Sequence, residues 1–219
     1  MRGIPKQELI RAAFSGLDLA EKKFSKLTSN TLHFNQAPEY LLTVSVAERL
    51  NRSAPNHLTW LEFQLSQARS AARGKQPPID QKMGRGRCDI LMCWASSKEP
   101  QAAFEIKRDV QFFSTVQSDL ERILYLMNDG VDGNTLQFGA VMFSTMAESI
   151  HGRQVIRSRT DDFRERLMTW QNDMGLKKNR LNIIRGKIKK RRAGDYWAPM
   201  AVIAERETRT QPKRMAAAE

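Results

Sequence analysis

Apolar residues recur every three or four positions over residues 5–27 and again over residues 39–50. This spacing places them on one face of a helix, so we predict two amphipathic helices. Pro38 lies just before the second stretch, where a proline suits the first turn of a helix. The apolar positions are Leu9, Ala13, Leu17, Ala20, Phe24 and Leu27 in the first helix and Leu42, Val46, Ala47 and Leu50 in the second.

Alternation replaces helical spacing after a turn cluster at residues 51–56. Residues 58–65 (LTWLEFQL) alternate and are rich in bulky side chains, which predicts a strand. Residues 66–86 contain glycines and prolines and are predicted to form a long connection. Residues 88–94 (CDILMCW) and 102–107 (AAFEIK) then predict two further strands, joined by a hairpin-like turn.

Helical spacing returns over residues 116–127 and ends in a segment with two glycines at residues 128–134. Residues 136–143 (LQFGAVMF) form a near-continuous apolar run, which is typical of a buried strand in a parallel sheet. From residue 38 to residue 143 the predicted order is therefore helix, three strands, helix, strand. The remaining predicted elements are a helix over 163–170, strands over 181–189 and 197–204, and a frayed end from residue 207.

Composition is that of a folded chain. With 219 residues, 41% of them hydrophobic, the chain is long enough for one sizeable domain with appendages. No stretch approaches the roughly 18 to 20 apolar residues of a membrane span, so we expect a cytoplasmic protein without a membrane partner. Cys88 and Cys93 lie in an apolar run without the spacing of a zinc site and are expected to be buried free thiols.

Positive charge is concentrated in the last third of the chain. The net charge is +12, and residues 151–219 carry 18 basic and 8 acidic residues, against 18 basic and 16 acidic residues before them. Within this part Arg185, Lys187 and Lys189 alternate with uncharged residues, and Lys190 follows. A strand here would present one basic face, so we predict an ordered ribbon that binds a polyanion such as nucleic acid.

Asp89, Glu105 and Lys107 are the residues whose pattern indicates chemistry. Residues two apart in a strand point the same way, so Glu105 and Lys107 project together. Asp89 lies near the start of the preceding predicted strand, and antiparallel pairing would place it beside them. Paired carboxylates bind a hard cation such as Mg²⁺, and a lysine can orient or deprotonate a water or stabilise developing negative charge. We therefore hypothesise a centre that hydrolyses phosphodiesters.

A structural alternative stays open, because Glu-x-Lys is short and occurs again at Glu21 inside a predicted helix. The pattern also fits an edge strand that carries a surface salt bridge. The apolar neighbours of Glu105, together with the helix and strand that follow, favour the hydrolytic centre. Arg85 and Arg87 flank Gly86 just before Asp89 and fit either phosphate-binding residues or an exposed loop.

This pattern resembles the PD-(D/E)XK nuclease superfamily, whose core order is αβββαβ with the acidic pair on the second and third strands. The resemblance rests on GRGRCDILM, which contains Asp89, and on FEIK, which contains Glu105 and Lys107, and it covers about half of the chain. It implies an α/β fold with a restriction-endonuclease-like core, in which helices flank a mixed central sheet. The implied domains are an N-terminal helical extension (1–37), the nuclease-like core (38–150) and a basic C-terminal α/β extension packed on the core (151–219).

The resemblance also implies roles for individual residues. Asp89 and Glu105 would be metal ligands, the Ile106 backbone carbonyl would be a further ligand, and Lys107 would be the catalytic lysine. Cys88 stands where many members have a proline before the aspartate, a position at which the superfamily is tolerant.

Two helices are implied to contribute as well. Many members carry a glutamate on the first helix, for which Glu39 is the first choice as a catalytic metal ligand and Glu48 the alternative. Some members carry a glutamine on the helix after the lysine, and Gln117 is in a suitable place.

The function expected from these features is that of a Mg²⁺-dependent endodeoxyribonuclease, with Mn²⁺ as a substitute metal. DNA is expected as the substrate rather than RNA, in phage defence, restriction or a mobile element. One rival is a non-catalytic DNA-binding protein with a helix–turn–helix over residues 44–65, in which 58–65 would be the recognition helix. Another is a nuclease-fold subunit active only within a larger defence complex, and a homodimer is also left open.

Overall fold

Seven strands form one mixed sheet in the computed structural model of this chain, which describes residues 6–72, 86–127, 134–176, 180–191 and 194–206. The strands are β1 (His57–Gln64), β2 (Arg87–Trp94), β3 (Pro100–Lys107), β4 (Phe138–Ala147), β5 (Leu181–Arg185), β6 (Lys189–Lys190) and β7 (Tyr196–Glu205). The helices of the described residues are α1 (Lys6–Leu27), α2 (Glu39–Ser53), α3 (Leu65–Ala71), α4 (Ser114–Met127) and α5 (Gly152–Asp173), with a short 3-10 helix at Phe34–Gln36.

Two layers of helices enclose this sheet. Its strand order is β1-β2-β3-β4-β7-β5, with β6 also paired to β7. Only β3 and β4 run parallel among these pairings, and α4 provides the crossover between them. Helices α1 and α2 pack against Phe104 and Met142 on one face, while α3, α4 and α5 pack against Leu91 and Val141 on the other. Both faces of the central strands are therefore buried, which explains why β4 is buried along its whole length.

Most of the predicted elements are confirmed, and so is the mixed α/β class. The helices predicted over 5–27, 39–50 and 116–127 are α1, α2 and α4. The strand predicted over 136–143 is β4, displaced by a few residues towards the C-terminus, and it is parallel to β3 as the apolar run indicated. The strands predicted over 58–65, 88–94, 102–107 and 197–204 are β1, β2, β3 and β7.

Two helices differ from the predictions. Helix α3 begins inside the segment predicted to be a connection, and α5 begins eleven residues before the predicted residue 163. The early half of α5 was missed because Ile156 is the only large apolar residue on its buried stripe before Phe163.

None of the described helices combines the length and the apolar character needed to cross a membrane. Three predicted segments lie outside the described residues: most of the segment that ends the helix, at 128–133, the frayed chain end from residue 207, and most of the connection before β2.

The helix–turn–helix interpretation of residues 44–65 is wrong. The segment assigned to the recognition helix is strand β1, which pairs antiparallel with β2 from His57 to Gln64. Alternating bulky residues favour a strand here because each side chain packs against a cross-strand neighbour.

The single basic strand predicted over 181–189 is also wrong, because β5 and β6 are separate and differ in register by one residue on β7. The cause is Pro199 on β7, which has no N–H to donate to a neighbouring strand. Its ring also lies against Gly186, where a Cβ would be 2.7 Å from Pro199 Cγ. Lys187 falls in the break between the strands. Arg185 shares a face with residues that pack on α5, whereas Lys189 pairs with Asp18 of α1 on the opposite face.

Helices α1 and α2 are in close contact. A Cβ placed on Gly16 would lie 2.4 Å from Val46 Cα and 2.9 Å from the Ser45 carbonyl oxygen. The two backbones therefore meet at Gly16, and this contact helps to set where Glu39, the first residue of α2, is held.

We expect Gly16→Ala to lower the free energy of unfolding by about 1–3 kcal/mol, because overpacking outweighs the roughly 1 kcal/mol that alanine gains in a helix. Urea denaturation measures this change. Gln7→Ala, at an exposed position of the same helix, is the control and should leave stability nearly unchanged. Equal stability of Gly16→Ala and the wild type would contradict the close helix contact.

Candidate active site

The N-terminal end of β2 and the C-terminal end of β3 bring Asp89 and Glu105 together. The antiparallel ladder ends where Ile90 pairs with Phe104, and Asp89 and Glu105 are the residues next to this last pair. Glu105 follows Phe104, which packs on α1 and α2, so Glu105 projects from the other face of the sheet, which carries α4. Asp89 Oδ2 also accepts a hydrogen bond of 2.6 Å from the backbone N–H of Ile106. The two carboxyl groups singled out by the sequence therefore lie at one end of the sheet.

Lys107 and Glu39 lie at the same end. Lys107 Nζ is 3.6 Å from Glu39 Oε1, and Glu39 Oε2 accepts a hydrogen bond from the Arg108 backbone N–H at 3.1 Å. Glu48, the alternative helix carboxylate, instead pairs with Lys23 and with Arg52, each at 2.8 Å. The placement thus brings Glu39 to the centre and leaves Glu48 outside it.

Other predicted residues are placed elsewhere. Gln117 lies on α4, but its amide donates to Glu121 at 3.3 Å and it lines a groove between α4 and α5. Arg87 is exposed at the start of β2, two residues before Asp89. Arg85 lies outside the described residues. The four basic residues of the predicted ribbon lie on β5, β6 and the break between them, away from the β2–β3 pair: Arg185, Lys187, Lys189 and Lys190.

Helix α4 contributes two residues that the sequence analysis missed, Asp119 and Arg122. Arg122 Nε and Nη2 donate to the two carboxylate oxygens of Glu105 at 3.1 Å and 3.3 Å, and Nη2 also donates to Asp119. Asp119 Oδ2 lies 3.7 Å from Lys107 Nζ. A signal was present, since Asp119 falls on the buried stripe of α4 at an (i, i+3) spacing from Arg122.

Burial dominates the electrostatics of these carboxyl groups. Glu105 and Asp119 are each 1% exposed. Burial raises the pKa of Glu105 to about 8; Arg122 opposes this rise and the Asp89 carboxylate adds to it. Burial also raises the pKa values of Asp89 and Asp119 above their ordinary ranges. A cluster of this kind needs cations close by when its members ionise.

Lys107 is held as an ammonium ion. Burial lowers its pKa, but the carboxylates of Asp119 and Glu39 outweigh burial, so that its pKa lies above the ordinary value. A lysine in this environment is poorly suited to take a proton from water. It is suited to orient a water or to stabilise negative charge that develops on a substrate.

The donor types at this centre fit Mg²⁺. Asp89 and Glu105 supply carboxylate oxygens, and the Ile106 carbonyl points to the same edge of β3 as the N–H that binds Asp89. Among the described residues no group of three or more His, Cys, Asp or Glu side chains is placed to hold a metal ion. Mg²⁺ does not require such a group, because it commonly keeps several waters and binds through one or two carboxylates. Arg122 already engages both oxygens of Glu105.

Comparisons of this chain with protein-family models, with curated proteins and with solved structures gave no match in any of the three.

The raised pKa of Glu105 predicts a specific pH dependence of stability. A carboxyl group with a pKa of about 8 in the folded protein and 4.5 as its ordinary value binds more protons in the folded state between these limits. Its contribution to stability is complete below the lower value and is lost as the pH rises through the upper one, by at most about 1.4 kcal/mol per pH unit. Glu105→Gln removes this titration, so the variant should lose less stability than the wild type between about pH 5.5 and pH 8.5.

Urea denaturation in the presence of a chelator at both pH values measures this difference. Glu165→Gln, at an exposed position on α5, is the control and should keep the wild-type pH dependence. An unchanged pH dependence in Glu105→Gln would show that Glu105 does not titrate in this range.

Proposed function

We propose that this chain is a Mg²⁺-dependent nuclease, with Mn²⁺ as a substitute ion, that cleaves phosphodiester bonds within DNA. The observation that carries the proposal is the juxtaposition of Asp89 and Glu105 on adjacent strands with Lys107 beside them. Two hard oxygen ligands and one ammonium group at the open end of a sheet match the needs of phosphodiester hydrolysis.

The order of elements supports a restriction-endonuclease-like core. Helix α2, the antiparallel strands β1, β2 and β3, helix α4 and the parallel strand β4 follow one another in the order αβββαβ. Helix α3 is an insertion between the first two strands, and β7, β5 and β6 extend the sheet beyond β4. The same order characterises the PD-(D/E)XK superfamily, which the sequence motif resembles.

Each residue of the centre has a distinct part in this proposal. Asp89, Glu105 and the Ile106 carbonyl would hold Mg²⁺, which would polarise the scissile phosphate and activate a water when bound. Lys107 keeps its proton because Asp119 and Glu39 lie within 4 Å of it, and its charge stabilises the negative charge of the pentacovalent transition state. Glu39 and Asp119 are positioning residues that act through Lys107.

A basic groove at the same end of the sheet supports a nucleic-acid substrate. In the sheet register Lys107 of β3 pairs with Phe143 of β4. Lys190 of β6 pairs with Tyr196 of β7, which in turn pairs with Ala147 at the C-terminal end of β4. Strand spacings place this groove roughly 20 Å from Lys107. Its volume is about 630 Å³, and it is lined by Glu21, Lys22, Ser25, Lys26, Asn30, Lys189, Lys190, Arg191 and Trp197.

The charges of this groove are unevenly matched. Glu21 is engaged by Arg191 at 2.9 Å. Lys22, Lys26 and Lys190 have no carboxylate partner among the described residues, so the groove carries excess positive charge. Such an excess favours the phosphate backbone of a strand that extends from the centre.

A non-catalytic nucleic-acid-binding protein is the second candidate function. The observation that favours it is the bidentate contact of Arg122 with Glu105, which gives the buried carboxylate a cation without any metal. Salt-sensitive DNA binding without cleavage, unaffected by Asp89→Asn, would support this candidate.

Cleavage of plasmid and single-stranded DNA with Mg²⁺ or Mn²⁺, and with chelator, tests the proposed activity. We expect metal-dependent cleavage that falls by about 100-fold or more in Asp89→Asn, which removes a charged metal ligand, and in Lys107→Met, which removes the positive charge at the reacting phosphate. Glu39→Gln should also reduce cleavage, whereas the matched change Glu48→Gln on the same helix should not. Metal-dependent cleavage at the wild-type rate by Asp89→Asn would refute the assignment of the centre.

The groove gives a separate prediction for binding. In chelator and in the Asp89→Asn background, Lys22→Ala, Lys26→Ala and Lys190→Ala should each lower the slope of log affinity against log salt by about 0.9 for duplex DNA. Lys98→Ala is the matched control, because Lys98 is exposed in the turn between β2 and β3 at the other end of the sheet. Equal slopes for all four variants and their background would place the nucleic acid elsewhere.

A further inference from the structure

Arg122 contacts both oxygens of Glu105, the carboxylate that the proposed ion would share with Asp89. Its guanidinium donates to both carboxylate oxygens of Glu105 and to one oxygen of Asp119. The arginine side chain is 28% exposed, whereas those of Glu105 and Asp119 are at most 2% exposed. The guanidinium of Arg122 therefore reaches the two buried carboxylates from the solvent side of the centre.

An ion and the guanidinium exclude one another at Glu105. A divalent cation bound to that carboxylate would lie next to a permanent positive charge in a poorly solvated environment, where repulsion is strong. The hydrogen bonds of Arg122 also use lone pairs on both oxygens that could otherwise face an ion.

We propose that Arg122 is the counter-ion of the metal-free centre and competes with the divalent cation for Glu105. Binding of the cation requires Arg122 to withdraw from Glu105, while its contact with Asp119 remains. This inference rests on the proposed metal-dependent nuclease function and adds to it a residue that controls when the ion binds.

The exchange leaves Glu105 with a cation at every stage. A buried carboxylate that loses its cation without replacement is strongly destabilising, so Arg122 leaves Glu105 only as the ion arrives. Asp119 also has two cations beside it: Lys107, at 3.7 Å, and Arg122, whose contact with Asp119 remains. Arginine is a long side chain, and its polar end already reaches the solvent.

A phosphate group would favour this exchange. A guanidinium released from Glu105 is well shaped to bind two phosphate oxygens. Nucleic acid at the centre would therefore draw Arg122 away from Glu105 and tighten binding of the ion, and the ion would tighten binding of nucleic acid by the same factor. The centre would hold its ion weakly until a substrate is present.

Binding of Mn²⁺ to the full-length protein without nucleic acid tests the competition, with free Mn²⁺ measured by electron paramagnetic resonance. We expect Arg122→Met to bind Mn²⁺ about tenfold or more tightly than the wild type, because the competing charge is removed. Arg108→Met is the matched control: the same substitution on an exposed arginine next to Lys107 that makes no contact with Glu105 should change the affinity by less than about twofold. Glu105→Gln should abolish the gained binding when combined with Arg122→Met.

Arg122→Lys keeps the experiment decisive if Arg122→Met does not fold, as judged by circular dichroism. A lysine keeps the charge but cannot make the two-pronged contact, so we expect a smaller gain in affinity and a larger rise of Tm with Mn²⁺ than in the wild type. Wild-type or weaker affinity in the folded Arg122 variants overturns the inference. If the wild type still cleaves DNA in that case, the proposed function stands; if no variant binds Mn²⁺ and no DNA is cut, both fall.

Discussion

The burial of Glu105 and Asp119 is the constraint on which the rest of the centre depends. Two carboxyl groups at 1% exposure require cations within contact distance whenever they ionise, and the chain supplies Arg122 and Lys107. Their placement fixes the charge state of Lys107, the raised pKa of Glu105 and the difficulty of adding a further cation. A centre assembled in this way combines buried carboxyl groups with an arginine and a lysine that already lie in contact with them.

The sheet and its crossover produce this arrangement. The pairing of β2 with β3 brings Asp89 to the backbone of Ile106, next to Glu105, and the parallel step from β3 to β4 lays α4 over the face that carries Glu105. Helix α4 therefore delivers Asp119 and Arg122 onto the strand that carries the Glu-x-Lys pattern, while α2 delivers Glu39 from the opposite layer. The centre forms where residues of two strands and two helices come close together.

The sequence pattern predicted the strand residues of the centre but not Asp119 and Arg122 on helix α4, and this difference has a physical reason. Alternation with a period of two residues determines which side chains of one strand share a face, so the grouping of Glu105 with Lys107 follows from local geometry. Which helix residue meets Glu105 depends on how α4 is rotated and translated over the sheet, and that depends on side chains from several distant segments. Local pattern did show that Asp119 lies on a buried stripe, although it did not show what Asp119 meets.

Taken alone, the sequence determined the class of the fold, the positions of most helices and strands, and the shared face of Glu105 and Lys107, because each follows from the spacing of apolar and polar residues within a few neighbours. Tertiary structure decided the choice of Glu39 over Glu48, the contacts of Arg122, and the loss of a single basic face at Gly186 and Pro199. These features arise from contacts between residues far apart in the chain, where packing and pairing override local preference.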